Sequence, residues 1–276
     1  MKKRWKWIGV FDYAIMVFVV LISIAPLIWI FISSFKTNKQ ILSSAFSLPT
    51  SLYLEGYAIA IEVANIPMRF LTSVIVAGSS TILAILLYSL AAYVLARTEF
   101  KGRNFLFFLL LSSMLIPSNA MVQPVYFVVK SLGLYDTKRG LVLVYTGFAM
   151  AMTLALMRSA FMRIPRELEE AAYLDGAGFF RAFFQVMLPV SKPAMASSAI
   201  LAFINSWNEF LYAMMLTSSE SNRTMPLMIK YFTSSFSFNY TSMFAALVLC
   251  IVPTLVMYIL LQEKVAESMI AGSVKG

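Results

Sequence analysis

Side chains able to do chemistry are few in this sequence and unevenly placed. Thirteen acids and one cysteine stand beside 22 Lys and Arg, and histidine is absent. Without histidine there is no His-ligated metal site, no Ser-His-Asp triad and no imidazole proton relay. Cys250 lies in an apolar run, where a thiol behaves as a small hydrophobe, and a lone cysteine forms no internal disulfide. No Gly-rich loop ending in Gly-Lys-Ser/Thr occurs, so the chain does not hold a nucleotide by that route. Neither a catalytic residue, a metal site nor a cofactor of its own is expected. What remains is recognition chemistry, concentrated in two places.

The first is the segment from Arg158 to Pro193, RSAFMRIPRELEEAAYLDGAGFFRAFFQVMLPVSKP, in which acids, bases and apolar residues mix at helical spacing. Pro165 can open a helix, and acids at Glu167, Glu169 and Glu170 sit where the helix dipole favours them. Ala171 and Ala172 leave one face low enough for a close neighbour, and Gly176 can take the left-handed conformation that ends a helix. A second short helix through Phe179, Phe180, Phe183 and Phe184 is expected to break at Leu188-Pro189. The residues by themselves read as an amphipathic segment that orders the loop against lipid headgroups.

The second place holds Asn205, Asn208, Glu209 and Tyr212, at spacings that share one helix face, with Trp207 beside them. Amides, a carboxylate and an aromatic ring suit a hydroxyl-rich solute. They equally suit hydrogen bonds between helices, with Glu209 capping a neighbour.

The elements that must position these groups follow from composition. Sixty per cent of the residues are hydrophobic and the mean hydropathy is +0.80, against about 45–50% apolar for a soluble domain. Uncharged stretches of spanning length predict helices near Tyr13–Phe35, Phe70–Ala96, Asn104–Val129, Gly140–Met157, Pro193–Thr217 and Thr241–Gln262. The third should kink or end near Pro117. The expected fold is therefore all-α, a polytopic membrane protein of six transmembrane helices with a cytoplasmic helix-turn-helix between helices four and five. It forms one transmembrane domain over residues 1–276, with a core of about 69–262 and a loop of about 159–193. The basic N-terminus before Tyr13 looks like a secretory signal, but the run is long and is read as an uncleaved first helix. With both termini inside, fourteen of the 22 Lys and Arg fall in inner segments and eight in outer ones, which favours that orientation. The formal charge of +9 is scattered between apolar runs, which points to lipid and away from nucleic acid.

Specific motifs add a resemblance. Glu170-Ala171-Ala172, Asp175-Gly176-Ala177, Leu188-Pro189 and Pro193 resemble the EAA loop of permease subunits in bacterial ATP-binding-cassette importers. Asn65-Ile66-Pro67, Ala91-Ala92-Tyr93, Lys101-Gly102-Arg103, Gln123-Pro124-Val125-Tyr126 and Ser206-Trp207-Asn208-Glu209-Phe210 look like the carbohydrate-uptake branch, in the family's order. The ending Ala271 to Gly276 resembles its MalG-type subunit. Val186-Met187, where isoleucine is more usual, and Ser273, where alanine is common, are small departures.

The resemblance implies an alternating-access sugar permease in the bacterial cytoplasmic membrane. Glu169, Glu170, Ala171, Ala172, Asp175, Gly176 and Ala177 would couple to a separate ATPase homodimer that binds ATP and Mg. The other partners implied are a second, MalF-like permease and an extracytoplasmic sugar-binding protein. Asn205, Trp207, Asn208 and Glu209 are candidates for the solute path, although in this family the second permease can hold most solute contacts. The tail from Gly272, including Lys275, either reaches into the ATPase pair or frays. A polyol or glycerol phosphate is the alternative solute. A secondary transporter is a weaker alternative, because it needs acids near the midplane and usually an internal repeat.

Overall fold

The computed structural model describes residues 2–232 and 239–273, with side chains for 11–232, 239–256, 258 and 259. Every regular element among them is helical. In chain order these are α1 (Lys2–Ser33), α2 (Asn38–Ser43), α3 (Glu55–Val63), α4 (Ile66–Arg97), α5 (Arg103–Leu111), α6 (Val122–Ser131), α7 (Lys138–Phe148), α8 (Met150–Arg163), α9 (Arg166–Leu174), α10 (Phe179–Ala182), α11 (Leu188–Val190), α12 (Lys192–Asn208), α13 (Leu211–Leu216) and α14 (Tyr240–Ser273).

Among the described residues two helices are long and apolar enough to cross a bilayer unaided: Phe11–Ser33 within α1, and α4. Three further stretches qualify only as bent pairs. Arg103–Leu115 and Ser118–Ser131 meet at 92°, α7 and α8 at 48°, and Phe179–Val190 and α12 at 82°. The first of these bends falls at Ile116-Pro117, where proline removes a backbone donor. The second departs from the continuous helix expected near Gly140–Met157; the third bends at Ser191, ahead of the helix expected near Pro193–Thr217, which is instead interrupted after Asn208. The stretch expected at Thr241–Gln262 lies within α14.

The contacts group into two compact units. Residues 1–66 and 228–253 form one. Here the chain leaving α1 folds back through Lys36, which is fully buried and donates to the Ala45 carbonyl at 2.9 Å. The Trp29 indole donates to the same oxygen at 2.8 Å, and its ring meets Phe244 edge-on. Thr37 and Gln40 form a reciprocal capping box on α2, each satisfying an end amide that the helix itself leaves orphaned. A Cβ at Gly56 would lie 2.6 Å from Thr241 Cγ2, so α3 and the start of α14 meet at a point that only glycine permits.

Residues 67–227 and 254–276 form the other unit, which carries both candidate sites. Along α4 the buried face is polar as often as apolar: Thr72, Ser73, Ser80, Thr81 and Ser89 alternate with Val76, Ala77, Ala84 and Ala92. Small hydroxyl residues let helices approach closely and bond across the gap where lipid supplies no partner, as Ser80 does to Ser206 of α12 at 3.2 Å. Two apolar clusters close its ends. One gathers Tyr93, Phe107, Leu154, Met157, Phe161, Phe183 and Met187; the other gathers Val129, Leu141, Tyr145, Tyr212 and Leu216.

The segment after α9 departs from expectation at Pro189. Phe183–Met187 forms a wide π turn in which the Leu188 amide reaches back to the Phe183 carbonyl, and Pro189 then sits inside α11. A proline ordinarily breaks a helix because it lacks the donor for the fourth carbonyl back. The shifted bonding of the wide turn removes that demand, and the chain bends instead at Ser191.

Candidate functional site

The first site is the elbow built by α9 and its turn. Pro165, extended at ψ 140°, launches α9, and Glu167 and Glu169 occupy the first turn. The helix closes through two bonds: the Gly176 amide donates to the Tyr173 carbonyl at 3.0 Å and the Ala177 amide to the Ala172 carbonyl at 2.9 Å. That pair of bonds defines a Schellman stop, which requires a left-handed residue, and Gly176 has φ +80° with open space where a Cβ would go. Glycine is therefore needed here for its backbone, and the space beside it is free for another molecule.

The acids of α9 point in opposite directions. Glu170, Ala171, Asp175 and Gly176 are exposed, and Ala172 and Ala177 are half-buried. Glu169 is the helix's one buried residue. Its carboxylate accepts from the Tyr93 hydroxyl, accepts from the Tyr173 hydroxyl at 3.1 Å, and lies 3.4 Å from Arg97 Nε. In the sequence Tyr93 stood out only within the Ala91-Ala92-Tyr93 motif, and nothing there named its partner.

The second site lies where α12 ends. Asn205, Asn208, Glu209 and Tyr212 do not form the continuous helical face expected, because α12 stops at Asn208 and Glu209 is extended at ψ 127°. The physical reason is in the carboxylate itself. Glu209 accepts from the backbone amides of Tyr212 at 2.8 Å and Ala213 at 2.9 Å, and so starts α13 by capping it. It also accepts from the buried Tyr145 hydroxyl at 2.7 Å. Beside this break is a cavity of about 760 Å³, mainly apolar, with Ser113, Ser118, Asn205, Ser206 and Glu209 among its polar lining. Trp207 is buried, stacked on Phe203 and edge-on to Phe70, and does not line the cavity; nor does the exposed Asn208. Of the four candidates, the fold brings Asn205 and Glu209 together at one opening. Gly272 lies in the described backbone of α14, and Lys275 is outside the described residues.

A third polar cluster carried no sequence signal. Asp136, at φ +55°, receives the amides of Ser218 at 2.9 Å and Ser219 at 3.0 Å, both serine hydroxyls, and the Asn222 side-chain amide. On the loop's other side Arg69, almost fully buried, and Arg223 both pair with Glu220. Residues 218–223 are thus clamped between two charges. Burial raises the affinity of the Asp136 carboxyl for a proton, but these hydrogen bonds outweigh it and hold the group well below the usual carboxylate range. A depressed folded value contributes stability above the ordinary pKa of about 3.9 and loses it as pH falls through the folded value. Asp136→Ala should accelerate trypsin cleavage at Arg223 by about tenfold near neutral pH, because local opening becomes easier. The stability difference from wild type, followed by thermal unfolding in buffers of falling pH, should persist to about pH 4 and fade only in stronger acid.

Comparison with known proteins places this architecture. Residues 89–269 match the family described as binding-protein-dependent transport system inner membrane component. The diacetylchitobiose uptake system permease protein of Streptomyces coelicolor is 39% identical over 95% of this chain and 87% of its own length. The trehalose transport system permease protein of Mycobacterium tuberculosis is 31% identical over 92% and 93%. In fold, the chain is similar to a bacterial ABC transporter involved in the import of the acidic polysaccharide alginate, with TM-score 0.82 at 23% identity over 94% of this chain and 96% of the other. Since the family match takes in well over half of the chain and the relatives align along nearly all of it, this chain belongs to the binding-protein-dependent transport system inner membrane components.

Proposed function

We propose that the chain is one permease subunit of an ATP-binding-cassette importer for a sugar, moving it across the cytoplasmic membrane by alternating access. The observation that carries this is the exposed acid-alanine-alanine face of α9, closed by a left-handed glycine, in a chain of this family. Glu170, Ala171, Ala172, Asp175, Gly176 and Ala177 form the docking face for a separate ATPase, a homodimer that binds ATP and Mg. A second permease completes the path, and an external binding protein delivers the solute. The whole chain works as a single transmembrane domain of six spans, the bent pairs each counting as one, with both termini and the α9 elbow in the cytoplasm. Relatives named for diacetylchitobiose and trehalose support a di- or oligosaccharide. Asn205 is the polar side chain offered to the solute from the cavity, and Glu209 holds the wall that carries it.

Ala171→Cys, in a chain whose Cys250 is replaced by alanine, tests this. A membrane-impermeant thiol reagent should label it in inside-out vesicles and not in intact cells. A short bifunctional reagent should join it to one protein carrying a Gly-rich loop that ends in Gly-Lys-Ser/Thr. Labelling from outside, or no such adduct in a transporting membrane, would refute the assignment.

A further inference from the structure

The one side chain that α9 buries is a carboxylate, while its apolar Leu168 and Leu174 stay exposed. A short amphipathic helix ordinarily docks through an apolar stripe, so α9 is held to the bundle in an unusual way. The turn and short helix that follow pack against α9, and its buried carboxylate is held by two residues of α4. The Tyr93 hydroxyl donates to Glu169 Oε1, and Arg97 Nε lies 3.4 Å from Oε2. Arg97 also donates to the carbonyl of Ile164, just ahead of α9. The Tyr93 ring lies 5.6 Å from Phe161, 5.0 Å from Phe179 and 5.2 Å from Phe183, between centroids. The end of α8, Glu169 of α9 and the aromatic turn after it therefore converge on one turn of α4.

Apolar contacts attract without direction and tolerate sliding. A buried ion pair adds little net stability but is costly to misplace, since any slip leaves a desolvated charge unmatched. Such a group fixes position and angle more than it adds strength.

We propose that Tyr93, Arg97, Glu169 and Tyr173 form a register latch that makes α9 and the Tyr93–Arg97 end of α4 move as one rigid body during transport. A displacement imposed on α9 then reaches the helix bundle undiminished. Glu169 is a positioning residue in this role; it faces inward and leaves Glu170 to meet the partner. The latch rests on the assignment of α9 as the docking helix.

The test uses the complete importer in proteoliposomes, with solute moved per ATP hydrolysed as the readout. Glu169→Gln keeps the shape and can still accept from the tyrosines but cannot pair with Arg97. The transport ratio should fall at least tenfold while ATP hydrolysis persists. Spin labels at Lys101→Cys and Leu174→Cys, with Cys250→Ala, should keep one separation with and without ATP, and Glu169→Gln should broaden it. An unchanged transport ratio in Glu169→Gln, or a label separation that shifts with ATP in the otherwise native chain, overturns the latch. So does a loss of assembled complex with an unchanged ratio per complex, because the contact is then only a folding contact. Glu170→Lys separates the two levels: if it is inactive while Glu169→Gln is normal, only the latch falls. If Glu170→Lys transports normally, the docking assignment falls and the latch with it.

Discussion

Reversing the charge at Glu170 is expected to cut solute uptake by more than 100-fold while the chain remains inserted at its normal level. Among the described residues nothing in the chain bonds this exposed carboxylate, so its loss has no structural cost beyond the roughly 0.5 kcal/mol of an ordinary surface change. On the proposed docking of α9 to a separate ATPase, the loss of function comes from that contact. Swinging a two-state transporter from 1:99 to 99:1 takes about 5.5 kcal/mol, which the proposed docking face would have to carry. A wrong charge against the proposed basic partner removes about 2–5 kcal/mol of that, and the stated effect, at about 1.4 kcal/mol per tenfold, needs about 2.8 kcal/mol, within that range. Uptake of labelled saccharide beside an immunoblot of the membrane fraction measures both parts. Uptake at the wild-type rate would exclude Glu170 from the transmission of force.

Glu209→Ala should destabilise the chain by about 3 kcal/mol, the sum of a lost helix cap and a buried hydroxyl left without an acceptor. Tyr145 and the amides of Tyr212 and Ala213 all lose their acceptor together. Glu209→Gln keeps an amide oxygen for one or two of these donors and should cost about half as much. Thermal unfolding of the purified chain in detergent would show the graded shift. Unchanged melting with lost transport would instead make Glu209 a solute contact, the role its residue type alone allows.

How much of this was legible in the sequence differs from element to element. Membrane residence was plain, because uncharged runs of spanning length have no other solvent. The α9 elbow was plain too, since Pro165, the acids and Gly176 are local signals that act within one turn, and the resemblance to ABC importer permeases built on them holds in the family match. The break at Glu209 was hidden because it is set by partners far along the chain; Tyr145 lies 64 residues away. From composition, an acid in an apolar run reads as a polar face of a helix, whereas here it interrupts the helix and restarts it. Asp136 escaped notice for the same reason, its bonds reaching 82 and 83 residues onward. Glu169 was grouped with Glu170 as a neighbour of the same type, and only the packing of α4 separates the buried acid from the exposed one.

The span Phe11–Ser33 of α1 has a mean hydropathy of 3.0, and the core of that span is wholly unburied. Only its far end is tied within the described residues, through Trp29 to Phe244 and the Ala45 carbonyl, so bilayer thickness acts on the lean of the rest. Its 23 residues measure about 35 Å at 1.5 Å each, against about 30 Å of hydrocarbon, an excess that a helix absorbs by tilting. In a thinner bilayer α1 should recline further while the rest of the chain keeps its shape, which makes this segment the part of the molecule most sensitive to lipid chain length.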